Sequence, residues 1–356
     1  MYQTLLAYFM TGTGNSYKVA RWCAQAAGDQ AVGSELIQVT AHGANRPLPP
    51  QALAIFAYPT HGFTAPWLMM KYVWRLPRGR KTHAVVLPAR AGIRIKGVFL
   101  PGLEGTAGYL IALLLWLKGY SVRAVAGVDM PSNWTALHWG LSPENTAVIV
   151  DLAESKVKSL LATVMSGHRH YDGLVQLLLG LLLAKISLMY LILGQLVLAK
   201  LFFAADACTG CGLCRTICPK QALRLTGQPP RPYWTYACDS CMACMNFCPH
   251  KAIEVSPLVM TLFYYLTTVP VMAYAFDYIA GTFGPNLAGV PLLGFAIQYF
   301  YIIFAIALAY WFLHLSLSSR LLRALAGKLA HTRYYRRYTA PGVTPGDLLR
   351  KIKTGR

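Results

Sequence analysis

The stretch Leu5-Leu6-Ala7-Tyr8-Phe9-Met10-Thr11-Gly12-Thr13-Gly14-Asn15-Ser16-Tyr17 decides how the N-terminal half folds. The apolar run Leu5–Phe9 reads as a buried strand, Thr11–Ser16 as a tight turn, and Tyr17–Ala27 as a helix. Glycines let the turn curl so that its N–H groups converge, the Thr and Ser hydroxyls add donors, and the helix N-terminus favours an anion. The turn therefore reads as a phosphate cradle. It lacks the Gly-Lys-Ser/Thr ending of a nucleotide-triphosphatase loop and the G-x-G-x-x-G spacing of a dinucleotide fold, so direct oxidation of NAD(P)H finds no support. Leu53–Tyr58, His83–Leu87, Val122–Val128 and Thr146–Val150 read as further strands, and Leu103–Leu117 as a long helix with an apolar face. Residues 1–166 are thus expected to form an α/β, doubly wound parallel sheet. Ligands of such sheets sit beyond the carboxyl ends of the strands. There Thr11, Gly12, Thr13, Gly14, Asn15 and Ser16 are joined by Pro59, Thr60, His61, Gly62 and Phe63, and by Ala89, Arg90, Ala91 and Gly92.

Eight of the nine cysteines fall in two runs, Cys208-Thr-Gly-Cys211-Gly-Leu-Cys214-Arg-Thr-Ile-Cys218-Pro219 and Cys238-Asp-Ser-Cys241-Met-Ala-Cys244-Met-Asn-Phe-Cys248-Pro249. Both repeat the C-x2-C-x2-C-x3-C-P spacing of bacterial two-cluster ferredoxins, in which the fourth cysteine of each run ligates the other cluster. Cys208, Cys211, Cys214 and Cys248 are expected to hold one [4Fe-4S] cluster, and Cys238, Cys241, Cys244 and Cys218 the second. Small residues inside the runs (Gly210, Gly212, Ser240, Ala243) let backbone N–H groups approach the sulfides. Paired zinc is the rival, but it rarely uses a doubled four-cysteine run. Cys23 lies on the first predicted helix, apart from the others, and reads as a small buried hydrophobe.

The 356-residue chain is 55% hydrophobic and 13% charged, with mean hydropathy +0.41. That balance is too apolar for an ordinary soluble protein and suits two or three domains in or on a membrane. The formal charge of +20 fits basic flanks facing anionic lipid and docking of acidic redox partners. No RNA-binding signature or basic repeat points to nucleic acid. No cleavable signal is read at the N-terminus, so the clusters are expected to stay in the reducing cytosol.

In Tyr8-Phe9, Thr11–Ser16, the Pro59-to-Pro66 loop, Met130-Pro131-Ser132-Asn133-Trp134 and the two cysteine runs, the chain resembles flavodoxins. It resembles more closely the flavodoxin-plus-ferredoxin fusions of the EFR1 family, over roughly residues 1–165 and 205–256. The resemblance implies a flavodoxin-like domain holding FMN, with the first loop at its phosphate and the second and third at its ring, beside a small α+β two-cluster ferredoxin domain. Trp134 and Phe63 are candidates to stack on the ring, and His61 to hydrogen-bond it or donate a proton; each also fits an ordinary loop or packing role. Arg90 reads either as a charge stabilising reduced flavin or as a solvated surface arginine.

The apolar segments lie outside that resemblance. Residues 167–205 hold the run Leu174–Ala205, interrupted by Lys185, Gln195 and Lys200. A single crossing would separate flavin and clusters by about 30 Å of hydrocarbon. A non-crossing excursion is therefore expected, either an interfacial helix with both lysines snorkelling or a re-entrant hairpin broken near Gly194; the alternative, since the lysines interrupt the apolar run, is a helix buried between soluble domains. Beyond the ferredoxin domain (206–256), Leu258–Ala280 and Pro291–Leu317 read as a transmembrane hairpin (257–318) turning at Gly281–Asn286. The basic tail (319–356) then places both ends of the hairpin, and the redox domains, on the cytoplasmic face of the inner membrane. His314 has no second histidine at helical spacing, so bis-histidine haem is not expected.

These readings converge on a membrane-tethered relay in which FMN exchanges one or two electrons and each cluster one. Its expected partners are membrane lipid, a membrane redox enzyme or complex, and a soluble electron donor. The alternative is an oxidoreductase acting directly on a quinone or another lipid-borne substrate. Since loop and cysteine runs belong to separate modules, replacing Cys211 is expected to remove one cluster and leave FMN largely bound, and a bulky residue at Gly12 or Gly14 to do the reverse.

Overall fold

In a computed structural model, residues 2–43, 47–49, 51–132, 142–255, 261, 265, 281, 291–330, 332 and 337–352 are described. The strand β1 (Thr4–Phe9) buries both faces. Leu5, Ala7 and Phe9 point into one apolar layer, and Leu6 and Tyr8 into the other, the period-two alternation of a central strand covered on each side. After β1 come α1 (Asn15–Gly28), β2 (Gly33–Gln38), β3 (Ala52–Pro59), α2 (Trp67–Arg75), β4 (His83–Ile95), β5 (Val98–Leu100), α3 (Ala107–Leu117), β6 (Ser121–Val125), β7 (Val128–Pro131), α4 (Pro143–Met165) and β8 (His170–Tyr171). The sheet runs β2-β1-β3-β4-β6-β8, with β7 parallel and β5 antiparallel to the long β4. β1 pairs in parallel with both β2 and β3. This is the flavodoxin-like order, whose direction reverses between β1 and β3 and opens a crevice there. Helices α1 and α4 cover one face, and α2 and α3 the other.

Thr146–Val150 is helical, inside α4, contrary to the strand expected there. Ser142 caps that helix by accepting from Asn145 N, and Pro143 starts it, so local helix-start chemistry overrides a β-branched run. The last sheet position, beyond β6, is filled instead by the short β8.

The cysteine-rich region folds as two antiparallel strand pairs. β9 (Phe202–Ala204) pairs with β12 (Ile253–Val255), and β10 (Leu223–Thr226) with β11 (Arg231–Trp234). One four-residue helix starts within each cysteine run, α7 (Leu213–Thr216) and α8 (Ala243–Asn246). Each run bends through two left-handed residues at matching positions, Gly210 and Gly212 in the first, Ser240 and Met242 in the second.

Before β9 the apolar segment forms α5 (Leu174–Leu182) and α6 (Ala184–Leu196). They bend by 70°. The break falls at Leu183, not near Gly194. Lys200 does not snorkel: it is fully buried, donates to the Trp234 carbonyl at 2.6 Å, and lies over the rings of Tyr236 and Tyr310. Farther along come α9 (Pro291–Ser316) and α10 (Arg320–Lys328). Among the described residues no single helix is long and apolar enough to cross a membrane; Leu174–Leu182 with Ala184–Ile192, and Ile303–Ser316 with Arg320–Lys328, pass that test only as bent pairs. Leu258–Ala280 and the turn Gly281–Asn286 lie outside the described residues, apart from single positions.

Residues 337–352 do not form a free basic tail. Tyr338, Ala340 and Leu348 are buried, and α11 (Pro345–Ile352) lies against β2.

Candidate redox site

A cavity of about 710 Å³ opens at the carboxyl ends of β1, β3 and β4. Thr11, Gly12, Thr13, Asn15 and Ser16, the whole Pro59–Phe63 loop, and Ala89, Arg90 and Ala91 line it. Gly14 and Gly92 stand behind that wall. A Cβ on Gly14 would strike Val343, and one on Gly92 would meet Asp129. Trp134 lies outside the described residues.

The first loop has the groups a phosphate needs. Thr11 Oγ1 accepts from Gly14 N at 2.8 Å, and Asn15 donates to the Pro131 carbonyl while accepting from the Tyr338 hydroxyl. These bonds fix the turn, whose Gly14 takes a φ of 94°. The hydroxyls of Thr13, Ser16 and Thr60 are buried without a hydrogen-bond partner. An unpartnered buried hydroxyl costs about 1–3 kcal/mol, which an anionic ligand would recover. The donor set therefore fits a phosphate-bearing group such as FMN.

His61 is buried, not an exposed loop residue. Its backbone bridges to Thr64, and its ring meets Tyr190 edge-on at 6.2 Å. Burial pushes its pKa down to about 4, with Asp239 pulling it up and Lys220 pushing it further down. Phe63 holds a left-handed backbone at the cavity wall. Arg90 is not a solvated arginine. It is buried in a fork on Asp129 (2.8 and 2.9 Å) and an ion pair with Glu104. Asp129 also accepts from Gly102 N. Although burial alone would lower the Arg90 pKa, its two carboxylate partners raise it overall, so it is a fixed cation bracing the third loop.

The opposite wall comes from elements the sequence assigned elsewhere. Ile186 and Tyr190 of α6 close the cavity, and so do Ser240, Cys241 and Met242 of the second cysteine run. Gly12 packs directly on this run: a Cβ there would sit 1.8 Å from the Cys241 carbonyl oxygen. Loop and second cysteine run are thus one contact surface, so a bulky residue at Gly12 presses on the Cys241 run as well, contrary to the expectation that it would leave the clusters in place. Asp239 joins the pieces, accepting from Leu68 N of α2 and from Gln195 of α6 and pairing with Lys220 at 3.2 Å. Ser240 donates to the Gly194 carbonyl at 2.7 Å. On the far side Arg337 donates to Met245 and Lys251 carbonyls, and Ala340 N donates to Thr13 O, so the segment around Tyr338 ties the first loop to the cysteine-rich region. The signal for these contacts was present in the residues that interrupt the apolar run: Gln195 docks α6 on Asp239, and Lys200, in the turn Leu198–Leu201 beyond it, docks on the Trp234 carbonyl.

The nine thiols are unbridged. Cys208, Cys211, Cys214 and Cys248 line one small cavity. Burial pushes Cys214 up to about 12, and Cys208, Cys248 and Cys211 add to the rise as like charges. Cys238 is likewise pushed up to about 12 by burial and by Cys218, while burial and then Cys238, Cys241 and Cys218 raise Cys244. The thiols thus gather in two sets of four, each drawing its fourth member from the other run. Among the described residues no three His, Cys, Asp or Glu side chains close on a single metal ion. Backbone N–H groups of Ala222, Ser240 and Ala252 point at Cys218, Cys238 and Cys248 at 3.4 Å, the kind of bond that tunes cluster potential. Thiolate, not thiol, ligates metal, so incorporation of a cluster at either set would release the thiol protons.

Residues 207–253 match the 4Fe-4S dicluster domain family. Among solved structures, a flavodoxin from the domain Archaea is 13% identical over 44% of this chain and 99% of its own, with a TM-score of 0.31. A flavodoxin of Streptococcus pneumonia TIGR4 is 15% identical over 45% of this chain and 97% of its own, with a TM-score of 0.29. No curated protein matches the chain. The chain joins a flavodoxin-like fold to an iron–sulfur domain. Strand order carries the first assignment; the dicluster match and the paired cysteine sets carry the second.

Proposed function

We propose that the chain is a membrane-attached electron-transfer protein, related to the flavodoxin-plus-ferredoxin fusions of the EFR1 family, that links FMN and two [4Fe-4S] clusters to a membrane redox partner. The observation that carries this reading is the shared wall, in which Cys241 and its neighbours face the same cavity as the phosphate loop. A flavin supplies exchange of one or two electrons and each cluster exchange of one, so together they convert a pair into single steps. Thr13, Ser16 and Thr60 would hold the phosphate. Tyr190 and Met242 enclose the cavity against water, and His61, neutral above about pH 4, adds no charge to it. The cysteines of the inner set are buried, whereas Cys211 of the outer set is exposed. Electrons would therefore run between cavity, inner cluster and outer cluster, with the outer one meeting the partner.

Membrane attachment draws on exposed apolar helices. Leu174, Val175 and Leu182 of α5 are 63%, 68% and 81% exposed. The 26 residues of α9 contain no Asp, Glu, Lys or Arg; Ala309, Tyr310 and Leu313 pack on the cysteine-rich region, while Phe300, Phe304 and Trp311 on the same helix are exposed. Arg320, Arg323 and Lys328 follow, which favours the cytoplasm for that end. The Gly12–Cys241 contact favours one common face for both redox parts.

Anaerobically purified protein should carry one FMN and about eight iron atoms. Zinc in place of iron, or protein without flavin, would overturn the reading. Reporter fusions at Ser166 and after Val255 should both report cytoplasm, and one within 281–286 the opposite face.

A second reading, direct oxidoreduction of a quinone or other lipid-borne substrate, is favoured by one observation. Ile93, Ile95 and Ile186 carry the cavity wall outward to half-exposed apolar surface. Anaerobic oxidation of the reduced protein by a soluble quinone, without any partner protein, would select it.

A further inference from the structure

The sheet carries a second concavity, of about 860 Å³, at the end opposite the redox cavity. β4 spans the two: His83 at its start lines this site, and Ala89 to Ala91 line the other. Six residues of strand separate them by about 20 Å, so a reductant bound here would be out of hydride reach of the flavin loops. The site has another chemistry.

Its charged lining is basic. Lys81, Arg123 and Arg169 face the space, and among the described residues none has a carboxylate partner. Arg123 is built in: its Nη2 donates to His83 Nε2 at 2.6 Å, and the other His83 nitrogen meets the Tyr2 hydroxyl at 2.7 Å. With Arg123 as donor, His83 Nε2 carries no proton, so Nδ1–H donates to Tyr2. Arg123 Nε is buried with no partner. An arginine anchored at one nitrogen with another unmatched is prepared for an oxyanion.

The rim is aromatic and apolar. Trp116 is 66% and Tyr171 51% exposed, and Leu117 beside Trp116 on α3 is 58% exposed. Tyr171 is tied to the Val122 carbonyl, and Tyr109 of the same wall to the carbonyl of Asp172. Two residues later the apolar α5 begins. Exposed Trp and Tyr beside cations and an apolar helix face match the headgroup level of a bilayer, where the ring sits between water and chains and the cation meets phosphate. A soluble nucleotide would account for the cations but not for the exposed leucines of α3 (Leu113, Leu117) and α5 (Leu174, Leu178, Leu182).

We propose that this basic, aromatic-rimmed concavity binds the phosphate headgroup of an anionic lipid, with Arg123 and Arg169 on the phosphate and Trp116 and Tyr171 at the headgroup–chain boundary. The assignment rests on the membrane attachment proposed above and adds a lipid preference to it. It also gives the flavodoxin-like domain its own hold on the bilayer.

The test is binding of soluble short-chain lipids to the full-length holoprotein in a non-ionic detergent. Dihexanoyl phosphatidylglycerol should bind at least tenfold more tightly than dihexanoyl phosphatidylcholine. R169Q should weaken it about fivefold, and R123Q/R169Q about 25-fold, at about 1 kcal/mol per charge, with flavin and cluster absorbance unchanged. Arg169 is exposed, so R169Q carries the test if R123Q does not fold. Equal affinity for the two lipids, or an anionic preference that survives R169Q, overturns the proposal. Inorganic phosphate binding as tightly as the anionic lipid would make this a free-phosphate site and overturns it too. Because the probe is soluble, the result is independent of alkaline extraction of membranes, which tests attachment itself.

Discussion

The two cysteine sets follow one spacing and one backbone path, yet they sit in opposite surroundings. In the inner set Cys218, Cys238, Cys241 and Cys244 are all buried, and Cys241 forms part of the flavin-side wall. In the outer set Cys211 is exposed, and Cys208, Cys214 and Cys248 are half-buried. The motif specifies how four sulfurs are presented. What covers them is decided by the rest of the chain, here Gly12, α6 and the segment around Tyr338. Two sites of equal ligand chemistry therefore differ in solvent exposure, which is among the levers that set cluster potential, and in which neighbour each can exchange electrons with.

The sharpest way to break this comparison is to delete one site at a time. Cys211→Ser should remove about half the iron and leave bound flavin and its electronic exchange with the inner cluster intact. Cys241→Ser should remove the inner cluster and stop flavin electrons reaching the outer one. Iron analysis and stopped-flow reduction under anaerobic conditions read both. Equal effects of the two substitutions on the flavin would erase the inner–outer distinction.

Gly12→Ala tests the contact itself. A Cβ cannot coexist with the Cys241 carbonyl at 1.8 Å, so this change should weaken flavin binding at least tenfold and disturb the inner cluster while sparing the outer. Gly28→Ala, in α1 with nothing within 4 Å of its Cβ, is the control. It should be neutral or stabilising. Flavin titration together with cluster absorbance separates the two results.

His61 gives the flavin side a pH signature. Its folded pKa, about 4 through burial, lies below the ordinary 6.5. The unfolded chain therefore binds more protons between those values, and stability falls as pH drops from 6.5 through 4. The loss is at most about 3 kcal/mol. In denaturant melts His61→Gln should flatten this dependence, and an unchanged slope would assign it to other groups. The smallest effect concerns the matched left-handed residues. Gly212→Ala should cost about 1 kcal/mol, because Gly212 holds a φ of 77° that a Cβ strains. A denaturant melt unchanged by Gly212→Ala would show that this turn carries no such strain.

The chemistry of the site was legible in the sequence wherever it is local. Thr11–Ser16 announces its turn through glycines and hydroxyls, and the cysteine spacing pairs the thiols across runs. The unbroken burial of Leu5 to Phe9 follows from a strand covered on both faces. What was not legible is long-range. Nothing in Thr146–Val150 itself outweighs a β-branched pattern until Ser142 and Pro143 are recognised as a helix start. Arg90 shows its role only when Asp129 and Glu104 are folded beside it. Leu174–Ala205 reads as membrane by composition, while Tyr190, Gln195 and Lys200 show that one side of it serves protein.

The segment around Tyr338 has a consequence for biogenesis. Tyr338 and Ala340 complete the hydrogen bonding of Asn15 and Thr13, so the earliest-translated loop is finished by residues made more than 300 positions later. While the ribosome is still producing the apolar stretches, the phosphate loop stands open and the second cysteine run has no cover from Arg337. Completion of the phosphate loop therefore waits on the synthesis of residues 338–340. A chain stalled before residue 337 would still join its two halves through the Gly12–Cys241 packing and the bonds of Asp239 and Ser240.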